Sequence, residues 1–137
     1  MKALLKYIDS KQAEMLEFLK RLVNIDSGSY DKDGVDQVGD VLAEHLAALD
    51  FDVQRNTQKE YGDHVIGYKP GAGNQRILFI GHMDTVFPLG TAQKRPFRIE
   101  GDRAFGPGVM DMKGGIACLI YAPVSYTHLT LPTIYSV

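Results

Sequence analysis

Apolar residues recur at helical spacing in the first part of the chain and predict two amphipathic helices. The first is expected over residues 11–24, with Ser10 as its N-terminal cap. Its apolar positions are Met15, Leu16, Leu19, Leu22 and Val23. The polar segment 26–31 predicts a loop, and the second helix follows from about Val35 to Leu49. The buried face of this second helix comprises Val35, Val38, Leu42, Leu46 and Leu49.

After residue 50 the spacing changes and becomes typical of β-strands. Short extended runs are predicted around residues 51–53 and 65–66, and the continuous apolar run Ile77–Ile80 predicts a strand that is buried on both faces. Residues 97–105 predict a hairpin that turns at Gly101 and Asp102, and an apolar helix is expected from about Lys113. Helices that precede and follow a buried strand indicate an α/β fold in which helices pack on a β-sheet.

Length and composition limit the function classes without identifying one. The chain has 137 residues, about one domain, with 45% hydrophobic residues, 23% charged residues and a net charge of −2. This balance is typical of a globular protein, and the lack of a basic stripe argues against a nucleic-acid partner. No segment has the length of a membrane span, and Lys6 and Asp9 interrupt the apolar start before it reaches signal-peptide length.

The single cysteine, Cys118, excludes an intrachain disulfide and favours a reducing compartment. Because it lies within the apolar run 116–120, we expect a small core residue and not a nucleophile. A cytoplasmic location, without a membrane partner, is therefore the expectation.

The sequence changes character at Pro123. This proline should interrupt the last predicted helix, and the β-prone run that follows resembles the conceptual translation of a transposase-type sequencing adapter. On this interpretation residues 123–137 are a non-native tail, and the natural sequence is cut off near Ala122. The alternative is a genuine C-terminal strand.

The strongest candidate for chemistry is the segment Gly81-His82-Met83-Asp84-Thr85-Val86, which directly follows the run Ile77–Ile80. Ligands of open α/β sheets collect at the carboxyl ends of the strands. The imidazole of His82 suits Zn²⁺. In an extended chain Asp84 lies on the same side as His82 and can accept a hydrogen bond from its other ring nitrogen. The alternative is a strand-end histidine with a solvated aspartate nearby.

A second candidate is the loop Gly106–Gly115, in which Asp111 stands just before the predicted apolar helix. Asp111 could simply cap that helix. A dinucleotide-binding loop is excluded, because Asp111 stands where the third glycine is required and would repel a pyrophosphate. A P-loop is excluded as well, since the loop lacks a Gly-Lys-Ser/Thr sequence.

Together, these segments resemble the M20 family of zinc metallopeptidases in order and spacing. The resemblance is carried by residues 81–86, 95–97, 100–102 and 106–115, and it extends back through residues 62–67. It covers essentially residues 10–122, and the glutamate carboxypeptidase branch is the most similar. It implies an α/β fold with helices packed on a mixed β-sheet, the truncated catalytic domain of a zinc-dependent exopeptidase. Residues 1–122 would be the N-terminal part of that domain.

The resemblance also implies roles for three residues. His82 would ligate one of two Zn²⁺ ions, Asp111 would bridge both, and Asp84 would be the catalytic residue that orients His82. The family's paired glutamates, a general base and a ligand, and its later carboxylate and histidine ligands would lie beyond Ala122. The remaining histidines are not expected to replace them: His45, His64 and His128.

Two hypotheses follow. In the first, the parent protein is a two-zinc amidohydrolase that removes a C-terminal residue, with glutamate favoured, from a small peptide or N-acyl amino acid. N-acyl amino acid deacylases and dipeptidases share the same motif. The parent is expected to be a homodimer through a domain outside this chain, and the fragment is expected to be inactive. In the second hypothesis, the chain is a non-catalytic binding or regulatory domain that retains the fold. The joint presence of His82, Asp84 and Asp111 favours the first.

Overall fold

The computed structural model describes residues 2–70 and 77–129, and three long helices are its largest elements. Helix α1 spans Lys2–Val23, and helix α2 spans Lys32–Ala48. Asp31 caps α2, because its side chain accepts a hydrogen bond from the backbone N–H of Gly34 at 3.2 Å. Both predicted helices are confirmed, and α1 is longer than expected.

The expected cap at Ser10 is wrong, because α1 begins at Lys2 and Ser10 lies inside it. The Ser10 hydroxyl donates instead to the backbone carbonyl of Tyr7 at 2.6 Å, about one turn back along the helix. The residues before Ser10 include alanine, leucine and lysine, which are strong helix formers. The helix therefore has no local reason to begin at Ser10.

The regular strands of the described residues form two antiparallel pairs. Strand β1, Asp52–Asn56, pairs with β2, His64–Tyr68. Strands β3, Arg98–Glu100, and β4, Arg103–Phe105, form the predicted hairpin. Gly101 in its turn has φ +61°, a conformation that glycine adopts without strain. Helices combined with short sheets confirm the α/β class.

The run Ile77–Ile80 does not form the predicted buried strand. Its side chains are exposed, from 47% at Phe79 to 81% at Leu78, and residues 77–84 belong to neither sheet. A strand buried on both faces needs neighbouring strands and covering helices, and β1 to β4 pair only with one another. The expected mixed sheet is therefore not assembled among residues 2–70 and 77–129, where the one parallel pairing is an isolated bridge between Gly28 and Thr85.

The second half of the described chain contains the short helix α3, Thr91–Lys94, and the apolar helix α4, Gly114–Leu129. Helix α4 begins where the sequence predicts, but Pro123 lies inside it and does not end it. A proline removes one helical hydrogen bond, and here the helix continues past it to Leu129. The helical conformation contradicts the alternative of a C-terminal strand as far as Leu129. Residues 130–137 of the proposed tail lie outside the described residues. Across residues 2–70 and 77–129, every helix is too short or too polar to span a membrane.

The hydrophobic core lies where α1, α2 and α4 meet. Its buried members are Phe18, Leu19, Leu22, Val23, Val38, Leu42, Ile116, Ala117, Ile120 and Tyr121. Cys118 is exposed, so the prediction that it is a core residue is wrong. The reason is geometric: α4 is apolar around its circumference, and among residues 114–123 the core is formed by Ile116, Ala117, Ile120 and Tyr121, which leaves Cys118 on the open side.

Candidate metal centre

The loop between α1 and α2 holds the segment 83–85 by hydrogen bonds. The backbone N–H of Thr85 donates to the carbonyl of Ser27 at 2.7 Å, and the N–H of Ser29 donates to the carbonyl of Thr85 at 3.1 Å. The buried Ser27 hydroxyl adds a third bond, to the carbonyl of Met83 at 3.0 Å. These bonds fix the backbone of residues 83–85, although the run 77–80 before them is unpaired.

His82, Asp84 and Asp111 converge, as the sequence predicts. His82 Nδ1 lies 3.1 Å from Asp84 Oδ1 and 3.0 Å from the backbone carbonyl oxygen of Asp84. On the other side of the ring, His82 Nε2 lies 3.0 Å from Asp111 Oδ1. A carboxylate only accepts hydrogen bonds, so a protonated His82 donates to both aspartates. When Nδ1 keeps its proton for Asp84, Nε2 is the nitrogen left to face a metal.

An irregular turn, Val109–Lys113, places Asp111. Asp111 has the non-helical angles φ −128° and ψ 97°, and the backbone N–H of Lys113 donates to the carbonyl of Gly108 at 2.8 Å. Gly108 has φ +73°, and a Cβ at this position would lie 2.6 Å from Thr85 Cγ2. Glycine is therefore favoured at 108 by its conformation and by the close approach of the two site segments.

Lys113 anchors this turn to the end of α1. The residue is 1% exposed, and its Nζ donates to the backbone carbonyls of Leu22 at 2.9 Å and Ile25 at 2.7 Å. Burial lowers the pKa of Lys113 to about 8, and the negative charge of Asp26 opposes that shift. Carbonyls at a helix C-terminus favour a cation, which makes the two hydrogen bonds of Lys113 favourable. Through these bonds Lys113 ties the backbone just after Asp111 to the end of α1.

The three converging side chains are partly open to solvent. His82 is 46% exposed, Asp84 37% and Asp111 83%, and they line a cleft of about 230 Å³. Partial burial is the largest influence on the pKa of His82 and lowers it, but the hydrogen bond to Asp111 and the interactions with Asp84 outweigh it. The pKa of His82 is therefore raised above its ordinary value of 6.5. A proton on Nε2 would compete with a metal for that nitrogen.

The donors that face one another suit a divalent metal, but they do not complete a site. An imidazole nitrogen and a carboxylate form the N/O donor set that binds Zn²⁺. In the part of the chain that the structure describes, no group of three or more His, Cys, Asp or Glu side chains is arranged to hold a metal. Asp84 cannot be the third donor, because it faces the other nitrogen of His82. The described residues thus offer two donors that face each other, His82 Nε2 and Asp111.

The other histidines do not add a donor among the described residues. The ring of His45 stacks on Phe18 with 4.0 Å between ring centroids, in the core between α1 and α2. His64 lies on β2, paired with Asn56 of β1. The side chain of His128 lies outside the part that the structure describes.

Ser29 contacts the site and Lys113 anchors the turn that carries Asp111, and the sequence motifs single out neither residue. Ser29 donates through its hydroxyl to Asp84 Oδ2, and Lys113 makes the two bonds to the end of α1. Ser29 lies in a segment whose composition predicts only a loop. Lys113 offers a weak signal, since a lysine that begins an apolar helix next to two glycines needs a partner for its charge.

Comparisons with known proteins show which family shares this sequence. A family model described as Peptidase family M20/M25/M40 matches residues 78–132. Carboxypeptidase G2 of Pseudomonas sp. (strain RS-16) is 39% identical over 113 residues, which make up 81% of this chain and 27% of that protein. The chain belongs to the M20 peptidase family. The resemblance seen in the motifs is thereby confirmed, whereas the domain boundary between residues 122 and 123 stays a prediction.

Other M20 relatives are succinyl-diaminopimelate desuccinylases. The enzyme of Gluconobacter oxydans (strain 621H) is 46% identical over 54 residues, 38% of this chain and 14% of its own length. The enzyme of Rickettsia prowazekii (strain Madrid E) is 29% identical over 117 residues, 80% of this chain and 30% of its own length. This chain therefore spans less than a third of each of these M20 relatives.

Proposed function

We propose that this chain supplies part of the metal site of a zinc-dependent M20 hydrolase that cleaves a C-terminal amide bond. The observation that carries the proposal is the imidazole of His82, which has a carboxylate at each ring nitrogen. Exposed pairs of this kind contribute about 0–1 kcal/mol to stability and restrain two side chains. Stability alone therefore does not explain why three partly exposed polar residues converge from two separate segments, whereas a metal site does.

Each residue has a distinct role in this proposal. His82 Nε2 and Asp111 would hold Zn²⁺, and Asp84 would keep the Nδ1 proton of His82 in place. Only Oδ1 of Asp111 faces His82, so its carboxylate could also bridge a second ion. When bound, zinc would polarise the scissile carbonyl and lower the pKa of a water ligand. We assign the general base and the remaining ligands to sequence beyond Ala122.

Similarity to carboxypeptidase G2 supports release of a C-terminal residue, and we favour glutamate. Similarity to the desuccinylases supports the second candidate, an N-acyl amino acid deacylase. Either substrate would be a small peptide or N-acyl amino acid. We further infer that the parent protein is cytoplasmic and homodimeric, and that the 137-residue chain alone is inactive. The rival hypothesis of a non-catalytic domain rests on the small number of metal donors among the described residues.

A chimera tests the proposal. Residues 1–122 would replace the matching segment of carboxypeptidase G2, and the product would be assayed with zinc for release of glutamate from an acylated substrate and for desuccinylation. We expect hydrolysis of one substrate class, a loss of at least about 100-fold in His82→Ala, and unchanged activity in the matched control His64→Ala. A folded chimera that binds zinc but hydrolyses neither substrate would refute the proposed function.

A further inference from the structure

Ser29 contacts the site from a segment that is distant in sequence. Its backbone N–H donates to the carbonyl of Thr85 at 3.1 Å, so its position is set by the pairing of loop and site segment. Its hydroxyl then donates to Asp84 Oδ2. The other oxygen of the same carboxylate, Oδ1, lies 3.1 Å from His82 Nδ1. The hydroxyl, the carboxylate and the imidazole therefore form one continuous chain of hydrogen bonds that ends at Nε2.

This chain matters because a free carboxylate can rotate. Asp84 is 37% exposed, and water competes for its oxygens. A hydrogen bond that holds Oδ2 also fixes the direction of Oδ1, which must point at Nδ1 to keep a proton there. Bonds in which one partner is charged are the stronger ones, so the Ser29 hydroxyl is an effective restraint.

The orientation decides which ring nitrogen carries the proton. A neutral imidazole has one N–H, and two carboxylates compete for it: Asp84 at Nδ1 and Asp111 at Nε2, 3.0 Å away. The backbone carbonyl of Asp84, 3.0 Å from Nδ1, also favours the proton at Nδ1. If the Asp84 carboxylate turns away, part of that preference is lost, and the proton moves toward Asp111. Nε2 is then blocked for a metal.

We propose that Ser29 is a positioning residue, which orients Asp84 so that His82 keeps its proton on Nδ1 and presents the lone pair of Nε2 to a metal. This role rests on the proposed function. Ser27 on the same loop is different, because its hydroxyl donates to the backbone carbonyl of Met83 and not to the carboxylate. Substitutions of the two serines can therefore distinguish a role in orienting Asp84 from a role in supporting the loop.

The test reads the tautomer of His82 directly, without metal or substrate. The ¹⁵N-labelled 137-residue chain would be studied by long-range ¹H–¹⁵N NMR above the pH at which the ring-nitrogen shifts of His82 stop changing, so that the ring is neutral. We expect mainly the Nδ1–H tautomer in the wild type. Ser29→Ala should raise the ratio of Nε2–H to Nδ1–H by about three- to tenfold, the factor expected for a weakened charge-assisted hydrogen bond. The change is partial because the Asp84 carbonyl still accepts from Nδ1.

Matched variants keep the test decisive. Ser27→Ala should leave the tautomer ratio unchanged even where it lowers stability. If Ser29→Ala does not fold, Ser29→Thr and Ser29→Val replace it, because threonine and valine have nearly the same shape and only threonine has a hydroxyl. A wild-type tautomer ratio in Ser29→Thr and a shifted ratio in Ser29→Val would then assign the effect to the hydroxyl. A ratio that changes less than twofold in the folded Ala or Val variant, or equally in Ser27→Ala, overturns the role of Ser29. Because zinc and substrate are absent, neither result bears on the hydrolase proposal.

Discussion

Substitution of Gly108 tests how tightly the two segments of the site pack. Gly108 has φ +73°, and an added Cβ would lie 2.6 Å from Thr85 Cγ2 and 3.3 Å from Lys113 Cδ. Thr85 is 5% exposed and β-branched, so its methyl group cannot swing away. Gly108→Ala must therefore displace either the Asp111 turn or the segment 83–85, both of which are held by hydrogen bonds.

The expected cost has two parts. The left-handed conformation costs alanine about 1–2 kcal/mol. Overpacking against a buried neighbour adds about 1–3 kcal/mol. The sum, about 2–5 kcal/mol, is a large share of the roughly 5–15 kcal/mol by which a typical domain is stable. Gly90 provides the control, since it has φ +85° and nothing within 4 Å of an added Cβ. Gly90→Ala should therefore cost only about 1–2 kcal/mol.

Urea denaturation followed by circular dichroism would give both free energies of unfolding. The difference between the two variants isolates the contact with Thr85, because their backbone strain is similar. We expect Gly108→Ala to be less stable than Gly90→Ala by about 1–3 kcal/mol. Equal stabilities, within about 0.5 kcal/mol, would show that the two segments do not pack as described.

Three other predictions concern the core and the exposed run Ile77–Ile80. Burial lowers the pKa of His45, so the unfolded chain binds more protons as the pH falls below 6.5, and stability is lost in that direction. His45→Phe, which retains the ring contact with Phe18, should flatten the decline in the urea midpoint between pH 7 and 5, whereas an unchanged slope would contradict the argument. Among leucines, Leu22→Ala should cost about 3–5 kcal/mol because Leu22 is 0% exposed. Leu78→Ala, at an 81% exposed position, should cost less than about 0.5 kcal/mol and reduce aggregation measured by light scattering. A large loss of stability in Leu78→Ala would mean that the run 77–80 is packed after all.

Elements that depend on local sequence were predicted well. Helix α2 and the hairpin of β3 and β4 follow from side-chain spacing and from turn chemistry at Gly101, and both are observed. The run Ile77–Ile80 was predicted wrongly, because burial of a strand is decided by its neighbours and not by its own composition. The prediction that Cys118 is buried was wrong for a similar reason, since an apolar helical sequence does not specify which side of the helix is covered.

The candidate site likewise contains residues that the sequence predicts and residues that only the tertiary structure reveals. Residue type and spacing singled out His82, Asp84 and Asp111, and the structure brings them together. The contacts of Ser29 and Lys113 could not be predicted, because they join positions that are 55 and 91 residues apart in the chain. A serine in a polar loop and a lysine at a helix start are common, and only the tertiary fold shows what they bind.

The proposed metal centre is tested most directly by measuring whether His82 Nε2 and Asp111 bind zinc together. Zn²⁺ would be titrated into the 137-residue chain by isothermal calorimetry at neutral pH, with His82→Ala, Asp111→Asn and the control His64→Ala. We expect weak binding, since the described residues bring together two donors, fewer than the usual three or four. We also expect His82→Ala and Asp111→Asn each to weaken the affinity at least about tenfold, and His64→Ala to leave it unchanged. Equal zinc affinity in all four proteins would contradict the assignment of the metal centre.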